Sequence, residues 1–318
     1  MRRLHREVRA LDEVLSLIRP RLVITPFGRR AFHALGELSQ RRDIPGLLIS
    51  HGSFTPVKDD LSEIAWAFHS YGMFHGSYSH AALQSPLAES YSQSLRSSSQ
   101  FVRTGPLVWG APVKRQASKA LKAKIIGSHE DCRVVVHAGT TKARGGMHFH
   151  VYETPDEFVK ALQDLVLAVN EVPNTRLIIK FRSPDLSEDE LRALLPPSDC
   201  YSISVDEPFL DVLGFTDLLV SFASTTIEEA LQNRVPVLLY GGEGRYQHVE
   251  AAEVTPDSDV EPSAVYAVRR SDYLVDALRR ILDTNGNAPL PEELFRRYVY
   301  KPEETTAFPD LVRDLVGA

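Results

Sequence analysis

A hydroxyl-bearing turn of small residues, Ala223-Ser224-Thr225-Thr226, stands between two apolar stretches in the second half of the chain. Residues 217–222 before it read as a short strand. Ile227, Ala230 and Leu231 after it recur at i, i+3 and i+4, one face of a helix. Residues 235–240 form a continuously apolar run, as suits a parallel strand covered on both faces, and Gly241-Gly242-Glu243-Gly244 follow at once. Hydroxyls and free N–H groups between a strand's carboxyl end and a helix's amino end suit a phosphate. The same letters also spell a structural device. Thr225-x-x-Glu228 and Thr226-x-x-Glu229 both fit a capping box, which needs no ligand, and on local pattern capping is the commoner outcome. A cap just past a strand can still border a ligand crevice.

Three other loops carry anion-friendly groups after predicted strands. They are Gly139-Thr140-Thr141 with Lys142 and Arg144, then Lys180 and Arg182, then residues 241–245. Any one alone is weak, but four converging at the carboxyl edge of a parallel sheet point to a phosphate-bearing ligand. Glu228 and Glu229 would repel a phosphate that they faced, whereas a carboxylate one turn into the helix can accept hydrogen bonds from a ribose diol. Neither a P-loop nor a GxGxxG pattern occurs, which argues against an ordinary ATPase or dehydrogenase.

His51 is the foremost acid–base candidate, because it directly follows an apolar strand, precedes Gly52 and is of the residue type whose unperturbed pKa suits proton transfer near neutrality. Its bland account is a histidine bonding loop carbonyls. Asp59, Asp60 and Glu63 are the carboxylates nearby, ordinarily solvated; Glu63 is retained beside His51 as a catalytic candidate. His69, His75, His80, His148 and His150 show no metal-site spacing, and His148-x-His150 lacks a third ligand. No metal and no cofactor is expected.

The elements that must position these groups follow strand–helix–strand grammar. Leu4, Val8, Leu11, Leu15 and Ile18 share a helical face that Pro20 ends. Strands are expected at 22–25 and 46–50 around a helix at 30–40. Residues 61–69 are compatible with a helix, 71–83 are rich in aromatic residues and histidine, and 87–99 are polar and rich in serine; a strand is expected at 101–104. A hinge is placed near 107–112, and the basic run 113–124 reads as a solvated connecting helix. From Arg133 the pattern becomes regular, with strands at 133–136, 176–181, 201–205, 217–222, 235–240 and 265–268 alternating with helices. Thr154-Pro155-Asp156-Glu157 and Ser187-x-x-Glu190 open two of these helices; a third, at 271–282, is expected to be capped as well. Such alternation predicts a doubly wound sheet.

The length of 318 residues suits about two domains. A net charge of −6 argues against a general nucleic-acid binder. Cys132 and Cys200 have neither metal spacing nor a disulfide framework and read as packing residues in a reducing compartment. No apolar run approaches a membrane span and no signal peptide is evident, so a cytoplasmic location is expected.

On three segments the chain resembles a family: VVVHAGTT at 134–141, RLIIKFR at 176–182 and TDLLVSFASTTIEEALQNRVPVLLY at 216–240. They look like the donor domain of GT-B glycosyltransferases of the surface-polysaccharide and teichoic-acid group, which includes sialic acid and Kdo transferases and CDP-glycerol glycerophosphotransferases. The resemblance implies an α/β, GT-B-like fold of two Rossmann-like doubly wound domains, the N-terminal one short or incomplete. The domains would run over 1–110 (acceptor side), 131–288 (nucleotide donor) and a helical tail 289–318, with 111–130 as linker. It implies that Ser224, Thr225 and Thr226 meet donor phosphate, that Glu229 meets ribose, and that His51 in ISHGS is a catalytic base. The expected partners are a CMP-, CDP- or UDP-linked sugar and a glycan or lipid-linked acceptor, with no nucleic acid; peripheral membrane or partner-protein association and homo-oligomerisation are compatible with it. Members commonly carry His-Pro where this chain has Phe181-Arg182. The glycine-rich turn of UDP-sugar 2-epimerases, which share the architecture, is absent. Those epimerases and a non-catalytic nucleotide-sugar-binding subunit are the alternatives.

Overall fold

The computed structural model describes residues 2–52, 60, 64, 73–74, 76–93, 95, 97–127, 131–139, 153–182, 186–241, 247, 249–286 and 290–317. The chain divides into two compact units, Met1–Gly110 with Arg296–Ala318, and Ala111–Phe295. The segment expected as a linker therefore belongs to the second unit, and most of the expected tail to the first.

The first unit opens on α1 (Arg2–Ile18), followed by β1 (Val23–Thr25), α2 (Ala31–Gln40) and β2 (Gly46–Ile49). Two elements that the sequence pattern did not announce come next, β3 (His80–Leu83) and α3 (Pro86–Gln93), before β4 (Gln100–Arg103). The stretch 80–83 is short and two of its four residues are alanine, which carries little strand signal. Nonetheless Ala81, Ala82 and Leu83 are buried, because β3 lies inside the parallel sheet β1-β2-β3-β4. The apolar face of α1 (Val8, Leu11, Leu15) packs with Val23, Leu38, Leu48 and Tyr78. On the second cluster, Leu311 of α10 (Phe308–Val316) joins Leu47 and Ala82.

The second unit begins with α4 (Arg115–Ile126). It is not a wholly solvated connector: Ser118 and Ile126 are buried. It packs so closely on the turn after α7 (Phe209–Leu213) that a Cβ on Gly214 would fall 2.0 Å from Ser118 Oγ. The strands β5 (Arg133–Gly139), β6 (Thr175–Phe181), β7 (Tyr201–Ser204), β8 (Leu218–Ser221), β9 (Val237–Leu239), β10 (Ala252–Glu253) and β11 (Val265–Ala267) form one sheet, ordered β10-β11-β9-β8-β5-β6-β7, with every pair parallel. Without the two-residue edge strand β10 the order is 3-2-1-4-5-6 in units of this domain, the doubly wound arrangement.

Its central strands are apolar on both faces because helices cover both. Val134, Val135, Val136, Leu218, Leu219 and Val220 are fully buried. The long α5 (Pro155–Glu171) starts at a complete capping box, Thr154 with Glu157, and has proline in its first turn. Its stripe Phe158, Leu162, Leu165, Val166 and Val169 is buried against β5, β6 and α9 (Leu274–Asn285). Each such side chain contributes about 1.5–3 kcal/mol. A second capping box, Ser187 with Glu190, starts α6 (Glu188–Leu194). The helix expected at 271 starts differently from its prediction. A 3-10 turn at Ser271–Tyr273 leads into α9, and neither start carries a side-chain cap.

Candidate functional site

The order of the second sheet reverses between β5 and β8, so loops leaving their carboxyl ends run to opposite sides and open a crevice between them. The two strand ends are tied together there, since Ser221 Oγ donates to the Ala138 carbonyl at 2.6 Å. Gly139 ends β5, and a Cβ on it would sit 3.2 Å from the His137 ring. The turn 222–225 leaves β8 and enters α8 (Thr226–Gln232). The crevice is thus bordered by Gly139 and by the hydroxyl turn that the sequence singled out.

The turn does not form the expected capping boxes. Thr225, the residue before α8, has helical dihedrals (φ −61°, ψ −12°) and its side chain makes no capping bond. Thr154 and Ser187, which do cap, are extended at φ −70°, ψ 160° and φ −79°, ψ 166°. An extended residue swings its hydroxyl over the exposed amides of the first turn, whereas a helical one carries it to the side. Ser224 Oγ instead accepts from the Thr226 amide at 3.3 Å, and Thr226 Oγ1 is buried with no hydrogen-bond partner among the described residues. Two turns of apolar residues, Ile227, Ala230 and Leu231, anchor α8 in the core.

Glu228 is buried, and Glu229 is half-buried. Burial raises the Glu229 carboxyl above the ordinary range, and the neighbouring charge of Glu228 adds to the effect. His137, one register step below the crevice, is fully buried with its ring edge-on to Phe158. Its Nδ1 has no partner among the described residues, and burial pushes its pKa down to about 4. The imidazole is therefore neutral at physiological pH. The sequence showed only a histidine inside an apolar strand; the strand's burial on both faces is what sets that state.

Lys180, at the end of β6, turns away from β5 towards the neighbouring β7. Its ammonium donates to the carbonyls of Ser204 at 3.2 Å and Val205 at 2.5 Å. Burial lowers its pKa, while Glu207 and Asp206 oppose the shift. Arg182 is exposed just past the same strand. Thr140, Thr141, Lys142, Arg144, Glu63, His148 and His150 lie outside the described residues.

In the first unit His51 is exposed, just past the carboxyl end of β2. The loop carrying it is braced by a side chain that sequence reasoning missed. Buried Gln84 donates through Nε2 to the Ser50 carbonyl, and its Oε1 accepts from the amides of Leu107 at 2.8 Å and Val108 at 2.9 Å. Ser50 Oγ closes the turn on the Gly52 carbonyl at 2.8 Å. Among the described residues no group of histidine, cysteine and carboxylate side chains could hold a metal ion, and no helix is long and apolar enough to cross a membrane.

Neither a comparison with protein-family models nor one with curated proteins finds a match. Solved structures do match. The chain is similar to the UDP-GlcNAc 2-epimerase from Methanocaldococcus jannaschii at 13% identity and a TM-score of 0.57, covering 99% of this chain and 82% of that one. It is similar to the UDP-GlcNAc 2-epimerase from Neisseria meningitidis bound to UDP-GlcNAc (12%, TM-score 0.55, 99% and 79% covered). It is also similar to MurG from Acinetobacter baumannii (12%, TM-score 0.50, 98% and 77% covered). The fold is of the GT-B type. Identities this low speak of fold alone. In this GT-B chain the doubly wound second unit carries the hydroxyl turn at its switch point, where such sheets bind ligands.

Proposed function

We propose that the second unit binds a nucleotide-activated sugar at the β5–β8 crevice and that the protein is a glycosyltransferase. The observation that carries this reading is the turn 224–226. It has the letters of a capping box, lies at the switch point, and leaves the hydroxyls of Thr225 and Thr226 out of capping, Ser224 alone accepting an amide of the first turn. The similar structures support it, since one is bound to UDP-GlcNAc and another is MurG. The donor would be CMP-, CDP- or UDP-linked, as in the surface-polysaccharide and teichoic-acid type of transferase that the sequence resembles. The acceptor would be a glycan or a lipid-linked glycan, with peripheral membrane association a corollary of the latter.

In this scheme Ser224, Thr225 and Thr226 hold the diphosphate, with Lys142 and Arg144 from the loop after β5 offsetting the charge that builds on the leaving phosphate. Glu229 receives the ribose hydroxyls. His51 takes the proton of the acceptor hydroxyl as that oxygen bonds the sugar carbon and the bond from that carbon to the phosphate oxygen breaks. No metal is assigned a step. Epimerisation of a nucleotide sugar is the second reading, favoured by the epimerases among the similar structures. Against it stands Ala223-Ser224-Thr225-Thr226 in place of a glycine-rich turn.

A thermal-shift panel of CMP, CDP, UDP, GDP and their sugars tests the reading. One nucleotide at about 100 times its Kd should add about 2.7 kcal/mol of stability, and Ser224→Ala/Thr225→Ala should abolish the shift. A flat panel at millimolar ligand would overturn the donor site. Conversion of the bound nucleotide sugar without any acceptor would select the epimerase.

A further inference from the structure

A second cleft of about 330 Å³ lies in the second unit, where the chain leaves β9 and β11 and passes the first two turns of α5. Its lining joins apolar Ala161 and Val268 and the buried Tyr240 to the charged Asp156, Lys160, Asp164 and Arg269. It is distinct from the switch crevice, which lies between β5 and β8, whereas β9 and β11 are the next strands outward. Gly241 connects the two. Its φ of +120° favours glycine, and a Cβ there would fall 2.3 Å from Glu153 Oε1 and 3.4 Å from Phe222, the residue just before the hydroxyl run.

Most of the charged groups of this cleft already have partners. Tyr240, buried, donates to Asp164 Oδ2 at 3.0 Å, and Lys160 pairs with Asp164 Oδ1. Arg269 pairs with Glu253 at 3.1 Å, and Glu157 is occupied by the Thr154 amide in the capping box. An anion entering here would meet three carboxylates, and a cation would compete with lysine and arginine. A neutral polyhydroxylated ring has neither cost. Its hydroxyls can bond to carboxylate and phenol lone pairs that the ion pairs leave over, and its C–H face can rest on Ala161, Val268 and the Tyr240 ring. The volume, at the low end for ligand pockets, holds one such ring and not a nucleotide sugar.

We propose that this cleft is a subsite for one neutral monosaccharide unit, separate from the nucleotide crevice. The inference does not rest on the donor reading. Saturation-transfer NMR and calorimetry with glucose, N-acetylglucosamine and glucose 1-phosphate test it on the full chain. A neutral sugar should bind in the millimolar range, more tightly than the phosphate ester. Asp156→Asn and Tyr240→Phe should each weaken it by about tenfold, the loss expected for one hydrogen bond. Asp156 is exposed and its variant should unfold like the parent, which guards against a folding artefact. Ser224→Ala should leave sugar binding unchanged. The proposal fails if neither neutral sugar binds, if glucose 1-phosphate binds more tightly, if both cleft variants bind as the parent does, or if UDP displaces the sugar. Sugar binding without any nucleotide shift would sink the donor reading and leave this one standing.

Discussion

Three helix starts in the second unit share one sequence grammar, a hydroxyl residue followed three positions later by glutamate. At Thr154 and Ser187 the grammar is executed in full: hydroxyl to amide, carboxylate back to the cap's own amide. At 224–229 it is written twice and executed neither time. The two capped helices are entered from extended residues, whereas the third follows β8 after only four intervening residues and is already helical at Thr225. Where a helix begins in a loop, its polar groups satisfy one another. Where it begins at the switch point, Thr226 Oγ1 and His137 Nδ1 remain without partners among the described residues. The sheet thus fixes one buried polar group inside β5 and another at the start of α8, and neither is used by a capping box.

The largest effect separating the two kinds of position should be catalytic. His51, past the end of β2, is exposed and held on a loop that Gln84 braces. His51→Ala should lower kcat/KM by about 10²–10⁴-fold; a loss of less than about threefold would remove it from the mechanism.

Next comes the pH dependence of stability. His137 has a folded pKa of about 4 against an ordinary 6.5, so below pH 6.5 the unfolded state binds the proton and the folded state does not. Stability should fall as pH drops from 6.5 towards 4, by up to about 3 kcal/mol from this one group. Urea unfolding of His137→Phe between pH 7 and 4 should show that slope reduced; an unchanged slope would mean that the ring is not held neutral.

Thr154→Ala should cost about 1 kcal/mol of stability, and Thr225→Ala no more than a few tenths. Equal losses in chemical denaturation would return the switch-point turn to ordinary capping. The smallest effect is expected at Glu229. Its raised carboxyl pKa means that ionisation is penalised in the folded state above the unfolded pKa, so Glu229→Gln should stabilise the free protein slightly at pH 7 and not at all near pH 4. If it binds ribose, the same variant should weaken nucleotide binding.

Much of the second unit was legible because its strands are short, apolar and separated by helices whose buried stripes repeat at 3.6 residues. Phe158, Leu162, Leu165, Val166 and Val169 share one helical face in the sequence, and all are buried. The first unit was less so. His80–Leu83 contains too little β-branched or aromatic material to announce a strand, and the polar α3 that follows buries only part of its surface. The candidate turn was located from its letters, but its state was not.

By itself the sequence determined the alternation of strand and helix, the two capping boxes at Thr154 and Ser187, and the hydroxyl turn between two apolar strands. Those follow from interactions within a few residues. Only the tertiary structure decided the strand order that puts Gly139 and Ser224 at one crevice, the turning of Lys180 towards β7, and the neutral state of His137. Each of these depends on groups far apart in the chain, and on burial that no local pattern specifies.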